Sequence, residues 1–237
     1  MDAIRFTRAM LERCNRKAEI KELEDCGPAL AGLALEPREA LVLAGEIASE
    51  QIDPASEARM GAQVHQRYEN GFALAERPDG RLEAVGEKLS RHANRPLDWR
   101  FSVVESEEQQ AQSIYGGYIY ATRGILQAFP MEAQLAFILA HEMAHLENRA
   151  QVVQRGQKTL VSLLRSAGED TVRLEQEWVK LQRAEEYSAD RRAVELMGQA
   201  GYPAEAALQV LSSWDEEDDA HGPPAERVEH LRQNIRG

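Results

Sequence analysis

The segment that most constrains this chain is Leu135-Ala136-Phe137-Ile138-Leu139-Ala140-His141-Glu142-Met143-Ala144-His145-Leu146. Its apolar half is made of good helix formers without Gly or Pro, so it reads as a buried helix. On a helix, side chains four residues apart lie one turn above each other on one face, so His141 and His145 present two imidazoles to one point. Glu142 sits about 100° further round the axis, beside that point, where a carboxylate can take up a proton. The pattern H-E-x-x-H therefore reads as two metal ligands and a general base. The plainer alternative is a pair of hydrogen-bonded core histidines, matching by chance in a chain with six His.

A zinc site needs a third protein ligand, and Glu185-Glu186-Tyr187-Ser188-Ala189-Asp190 offers one. Glu186 and Asp190 are again four apart on a helical stretch. With Glu186 completing the coordination, Asp190 faces the same cluster and can accept the free N–H of a ligand histidine, which fixes the tautomer and orientation of the ring. Against this stands the reading of both as ordinary surface acids among the 40 of the chain.

Further blocks share an order with these two. Trp99-Arg100-Phe101-Ser102-Val103-Val104 is β-rich; Gly116-Gly117-Tyr118-Ile119-Tyr120-Ala121-Thr122-Arg123-Gly124-Ile125-Leu126 follows the pattern G-G-Y-I-x-V-T-x-G-L-L; His221-Gly222-Pro223-Pro224-Ala225-Glu226-Arg227-Val228 follows H-P-x-x-x-x-R-I. Together they resemble the gluzincin metallopeptidases of the HtpX and CAAX-prenyl-protease type, peptidase family M48, and most closely its small soluble bacterial members. The likeness runs from about residue 57 to 235.

The resemblance implies an α+β, mainly helical, zincin-like metallopeptidase domain over residues 57–237, with a small sheet packed on the metal-binding helix. Residues 1–56 then form an N-terminal helical segment, a collar or a prosegment. It implies one Zn²⁺ per chain on His141, His145 and Glu186, with Asp190 behind the ligands and Glu142 as the base. His221 and Arg227 are expected near the oxyanion, with His221 alternatively capping the zinc as a fourth ligand. Gly116, Gly117, Tyr118, Ile119 and Tyr120 are expected as an edge strand that pairs with an extended substrate, the glycines admitting its backbone. Three features depart from the family pattern: Ser113-Ile114-Tyr115 stands where relatives often have Asn-Ala-x-x-x-Pro, Leu146-Glu147-Asn148-Arg149 replaces a basic His-rich stretch, and Gly222 is inserted before Pro223.

The function implied is that of a zinc-dependent endopeptidase acting on unfolded or extended polypeptides through metal-activated water. The reading from a different class is a latent or non-catalytic zinc protein that binds clients in quality control. The intact Glu142 argues against it, because a purely structural site has no use for a base.

Composition fits a globular catalytic domain: 237 residues, 43% hydrophobic and 29% charged, bury a sizeable core. A formal net charge of −12 argues against nucleic acid and against an anionic membrane surface. No apolar run reaches the length of a membrane span. The expected location is the cytoplasm, or the periplasm if a leader has been removed. Cys14 and Cys26 are too few for a disulfide framework and read as reduced thiols, with one disulfide between them left open.

In chain order, helices are expected over Asp2 to Asp25, from Pro37, from Pro54 to the Asn70-Gly71 stop, and over Arg81 to Arg91 with Leu82, Val85 and Leu89 inward. Strands are expected over 98–105 and 117–121. A helical excursion broken at Gly168 fills Arg149 to Arg183, with Trp178 in a core. The Glu186 helix runs to Gly198, and Tyr202-Pro203 opens another towards Trp214. His65 reads as a packing or surface residue, and the acidic run Asp215 to Asp219 as a solvated loop.

Overall fold

The structure, a computed structural model, describes residues 35–71, 74–75, 79–214 and 221–235. The expected helix over Asp2 to Asp25, Cys14, Cys26 and the acidic run Asp215 to Asp219 lie outside the described residues. In chain order the elements are α1 (Pro37–Gln51), α2 (Pro54–Gly71), α3 (Gly80–Ser90), β1 (Arg100–Val104), β2 (Ala111–Ile114), a 3₁₀ turn (Tyr115–Gly117), β3 (Tyr118–Thr122), α4 (Arg123–Ala128), α5 (Glu132–Glu147), α6 (Ala150–Ser166), α7 (Val172–Gln199), α8 (Glu205–Ser212) and α9 (Pro224–Ile235). The protein is thus mainly helical with one small sheet, the α+β class expected. Its chain divides into two compact units, Met1–Asp53 with Arg149–Gln182, and Pro54–Asn148 with Arg183–Gly237.

In the first unit, α1 and α6 pack along Ala40, Leu41, Ala44, Ile47, Leu160 and Leu163, with Leu174 and Trp178 from the start of α7 joining this core. Pro at the first position of α1 is preset for a helix start. Arg149 enters α6 with φ of 55° and donates to the carbonyls of Ser49 and Ile52, meeting acceptors that the C-terminus of α1 leaves unpaired.

The second unit is built on a three-stranded sheet of order β1-β3-β2, with β1 parallel and β2 antiparallel to β3. Alternation along β3 divides its side chains. Ile119 and Ala121 join the core of α3, α4, α5, α8 and α9. Tyr118 and Tyr120 face the other way, into a cluster with Ile114 and with Val64 and Tyr68 of α2. Thr122 ends β3 and caps α4, its hydroxyl accepting from the Ile125 N–H at 3.3 Å, so the Thr of the G-G-Y-I-x-x-T block turns strand into helix.

One expectation is corrected here. Tyr118, Ile119 and Tyr120 belong to the central strand, not to an edge: β3 is hydrogen-bonded to β1 on one side and β2 on the other, so its ladder has no room for a substrate. Gly116 and Gly117 are not in the strand. They form the tight turn from β2 into β3 with φ of 80° and 102°, values that glycine alone adopts without strain. β2, absent from the reading of the sequence, is one of the two edge strands in this sheet order; the other, β1, is bridged along its outer side by Leu74 and Ala75.

Candidate metal centre

α5 carries the two histidines because ten of its residues, from Leu135 to Leu146, are buried and hold the helix inside the core of the second unit. That burial points the 141/145 face at α7, which brings Glu186 and Asp190. The Nε2 atoms of His141 and His145 are 3.0 Å apart, and the rings meet edge-on at 4.6 Å. Glu186 closes the triangle, with Oε2 at 3.3 Å from His141 Nε2 and Oε1 at 3.3 Å from His145 Nε2. Among the described residues, these three form the group able to hold a metal ion.

The donor set fits zinc. Bonds of 2.0–2.1 Å at a tetrahedral ion place neighbouring ligand atoms about 3.3 Å apart, close to the spacing found. His141 Nδ1 lies 3.0 Å from Asp190 Oδ1, which places the ring proton there and leaves the Nε2 lone pair facing inwards. Glu186 Oε2 is buried without a hydrogen bond of good geometry. Electron-rich atoms converging in a dry site call for a cation. The same need shows in the proton equilibria. Burial, and at His141 the neighbouring imidazole, work against protonated rings. The surrounding carboxylates outweigh this and raise both, His145 to about 10. Burial likewise opposes ionised Glu186, yet the two imidazoles against its oxygens hold its carboxyl well below the usual range. A metal ion supplies the charge that protons supply in its absence.

Each imidazole is backed by a second carboxylate. Behind His141, Asp190 is held by Arg227, whose Nε and Nη2 donate to Oδ2 and Oδ1 at 2.8 and 2.6 Å. Arg227 also puts Nη1 3.4 Å from Glu186 Oε2, and its guanidinium lies 5.5 Å over the Trp214 ring. Behind His145, Nδ1 faces Glu185 Oε1 at 3.5 Å, and Asn148 donates to that same oxygen at 3.1 Å. Glu142 is partly buried and acts electrostatically on both His145 and Arg227.

The structure thus gathers His141, His145, Glu186, Asp190 and Arg227, with Glu142 alongside. It does not bring His221 to the triangle: that residue is exposed in the turn before α9. Arg227 lies on the Nδ1 side of His141, with its guanidinium engaged by Asp190 and Glu186. Glu185, Asn148 and Trp214 were missed in the sequence. A signal existed for Asn148, three residues after His145 and so on the same helical face. None existed for Trp214, whose contact depends on the fold.

A family model described as Peptidase family M48 matches residues 76–177 and 172–235, a span that takes in the whole of α5, α7 and α9. No curated protein matches the chain.

Proposed function

The chain belongs to peptidase family M48, and from that premise we propose that it is a zinc-dependent endopeptidase acting on unfolded or extended polypeptides. The observation that carries this reading is the convergence of His141 Nε2, His145 Nε2 and a Glu186 oxygen pair within hydrogen-bond distance of one another. When bound there, zinc acidifies a water to a pKa of about 7 and polarises the scissile carbonyl. Glu142, one residue on from His141, takes the proton of the attacking water on its carboxylate and delivers it to the leaving amine. Asp190 holds the His141 ring in the tautomer that leaves Nε2 free, and Arg227 holds Asp190. Because Arg227 is occupied in this way, its part in our reading is positioning, and no oxyanion role is assigned to the exposed His221. Sheet order leaves β1 and β2 as the outer strands, and because β1 is bridged by Leu74 and Ala75, our reading pairs an extended substrate along β2, not β3.

The test is hydrolysis of unfolded casein together with zinc content, for the wild type and Glu142→Gln. The expected result is one zinc per chain in both and a loss of roughly 10²–10⁴ in rate for the variant, the usual worth of a positioned base. Equal rates would remove Glu142 from its role, and a wild type without zinc would remove the metallopeptidase mechanism.

A further inference from the structure

We propose that Glu185, fixed by Asn148, is a positioning residue for the second histidine, His145, and sets how tightly the site holds its metal. The inference rests on the zinc reading above. When His145 Nε2 serves as a ligand, the neutral ring carries its proton on Nδ1. That nitrogen is buried and has no hydrogen bond of good geometry. The acceptor facing it is Glu185 Oε1 at 3.5 Å, and a small rotation of the glutamate turns this long contact into a hydrogen bond. A carboxylate there orients the imidazole and makes Nε2 a stronger donor to a metal.

Asn148 gives this arm its fixed point. It ends α5 as the C-cap, and its Nδ2 donates to Glu185 Oε1 at 3.1 Å. The glutamate is therefore tethered from the same helix that carries the histidine it serves.

The two arms of the site differ in where they are anchored. The Asp190 side chain is 3% exposed and its arginine 1%, so the support of His141 is built into the core. The Glu185 side chain is 25% exposed, so the support of His145 stands at the rim. A change at Asp190 disturbs a buried ion pair and with it the fold. A change at Glu185 removes one acceptor from one ligand and leaves the core packing untouched. The rim arm is thus the one through which metal affinity varies independently of folding.

The test uses the full chain with Glu185→Ala, Glu185→Gln and Asn148→Ala, and Glu229→Ala on the exposed face of α9 as a control. Zinc affinity is read by competition with a chromophoric chelator, the ligand field from the visible spectrum of the cobalt-substituted protein, and folding from the melting temperature of the metal-free form. Glu185→Ala is expected to weaken zinc binding by roughly 10- to 100-fold and to shift the cobalt bands, with Asn148→Ala in between. Glu185→Gln is expected to retain most of the affinity, since its side-chain oxygen still accepts from Nδ1–H. The metal-free melting temperature is expected to stay at the wild-type value in all of them. A wild type that binds zinc tightly beside a Glu185→Ala variant that binds it equally well overturns the role of Glu185 and leaves the zinc reading intact. An affinity loss accompanied by a lowered metal-free melting temperature also overturns it, because the effect is then structural. A wild type without zinc affinity overturns the zinc reading and this inference with it.

Discussion

Among the described residues, Arg227 is the largest side chain that is buried completely, at 1% exposure. A guanidinium out of water is tolerated only when its charge and its donors are met. Here Asp190 meets two of them and Glu186 lies beside a third, while the ring of Trp214 covers the guanidinium. Burial lowers the tendency of Arg227 to hold its proton, but Asp190 outweighs this, and the group stays charged with its pKa raised. Truncation leaves Asp190 buried and uncompensated, so Arg227→Ala should cost about 3–5 kcal/mol, read by urea unfolding of the metal-free protein. Arg227→Lys should recover little, because an ammonium cannot span both carboxylate oxygens. The double variant Asp190→Leu with Arg227→Met separates the two roles of the pair. It should regain part of the stability, since an apolar pair often replaces a buried ion pair without loss. Its zinc affinity should stay low, because His141 Nδ1 has lost its acceptor. Zinc binding that recovers along with stability would show that Asp190 serves the fold alone.

Among the elements, α2 lies, like α1, outside the family segment, which begins at residue 76. In the second unit it covers the sheet face opposite α5. His65 stacks on Tyr118 and Tyr68 on Tyr120, each with ring centroids 4.6 Å apart. Burial raises the Tyr120 phenol and keeps it neutral, and its hydroxyl shares a hydrogen bond with His65 Nδ1. Glu57 anchors the other end of the helix through paired bonds of 3.0 Å with Arg95. Between these contacts, Gly61 lets the helix come against the 3₁₀ turn: a Cβ there would sit 1.8 Å from the Tyr115 carbonyl oxygen. Gly61→Ala should therefore push α2 off the sheet at a cost of at least about 1–3 kcal/mol, despite the better helix propensity of Ala. A melting temperature equal to wild type would mean that α2 is not held at that distance. This packing also shows which parts of the fold were legible. The pairing of His141 with His145 on one helical face was, because spacing on a helix is a local property of the chain. Strand β2 was not: Ala111-Gln112-Ser113-Ile114 is short and weakly β-forming, and it becomes a strand only through its pairing with β3. The central position of β3 could not be read from its residues for the same reason, since strand order is set by chain segments that lie apart in sequence. Arg227 was legible as a site residue from its motif, but its direction was not. It depends on Asp190, 37 positions away.

For the whole molecule, the question is how far folding depends on the metal. Among the described residues, no helix is long and apolar enough to cross a membrane. The core of the second unit draws on α3, α4, α5, α7, α8 and α9 and on two strands, none of which needs an ion to bury its side chains. In a small zinc finger the metal stands in for a core and its removal unfolds the chain. Here, once metal is chelated, protons on the imidazoles meet the electrostatic conflict in the triangle, with the ionised Glu186 between them. Chelation should therefore leave the far-ultraviolet circular dichroism at 25 °C unchanged while lowering the midpoint of thermal unfolding. Binding to the folded state alone adds RT ln(1 + [Zn]/Kd), or about 4 kcal/mol with free zinc at a thousand times Kd. At roughly 2–4 °C per kcal/mol for a domain of this size, the midpoint should rise by about 8–16 °C. In His141→Ala the same zinc should move the midpoint little. A chelated wild type that loses its helical signal at 25 °C would show that the metal is part of the core, and an equal shift in His141→Ala would place the bound zinc outside the His141, His145 and Glu186 triangle.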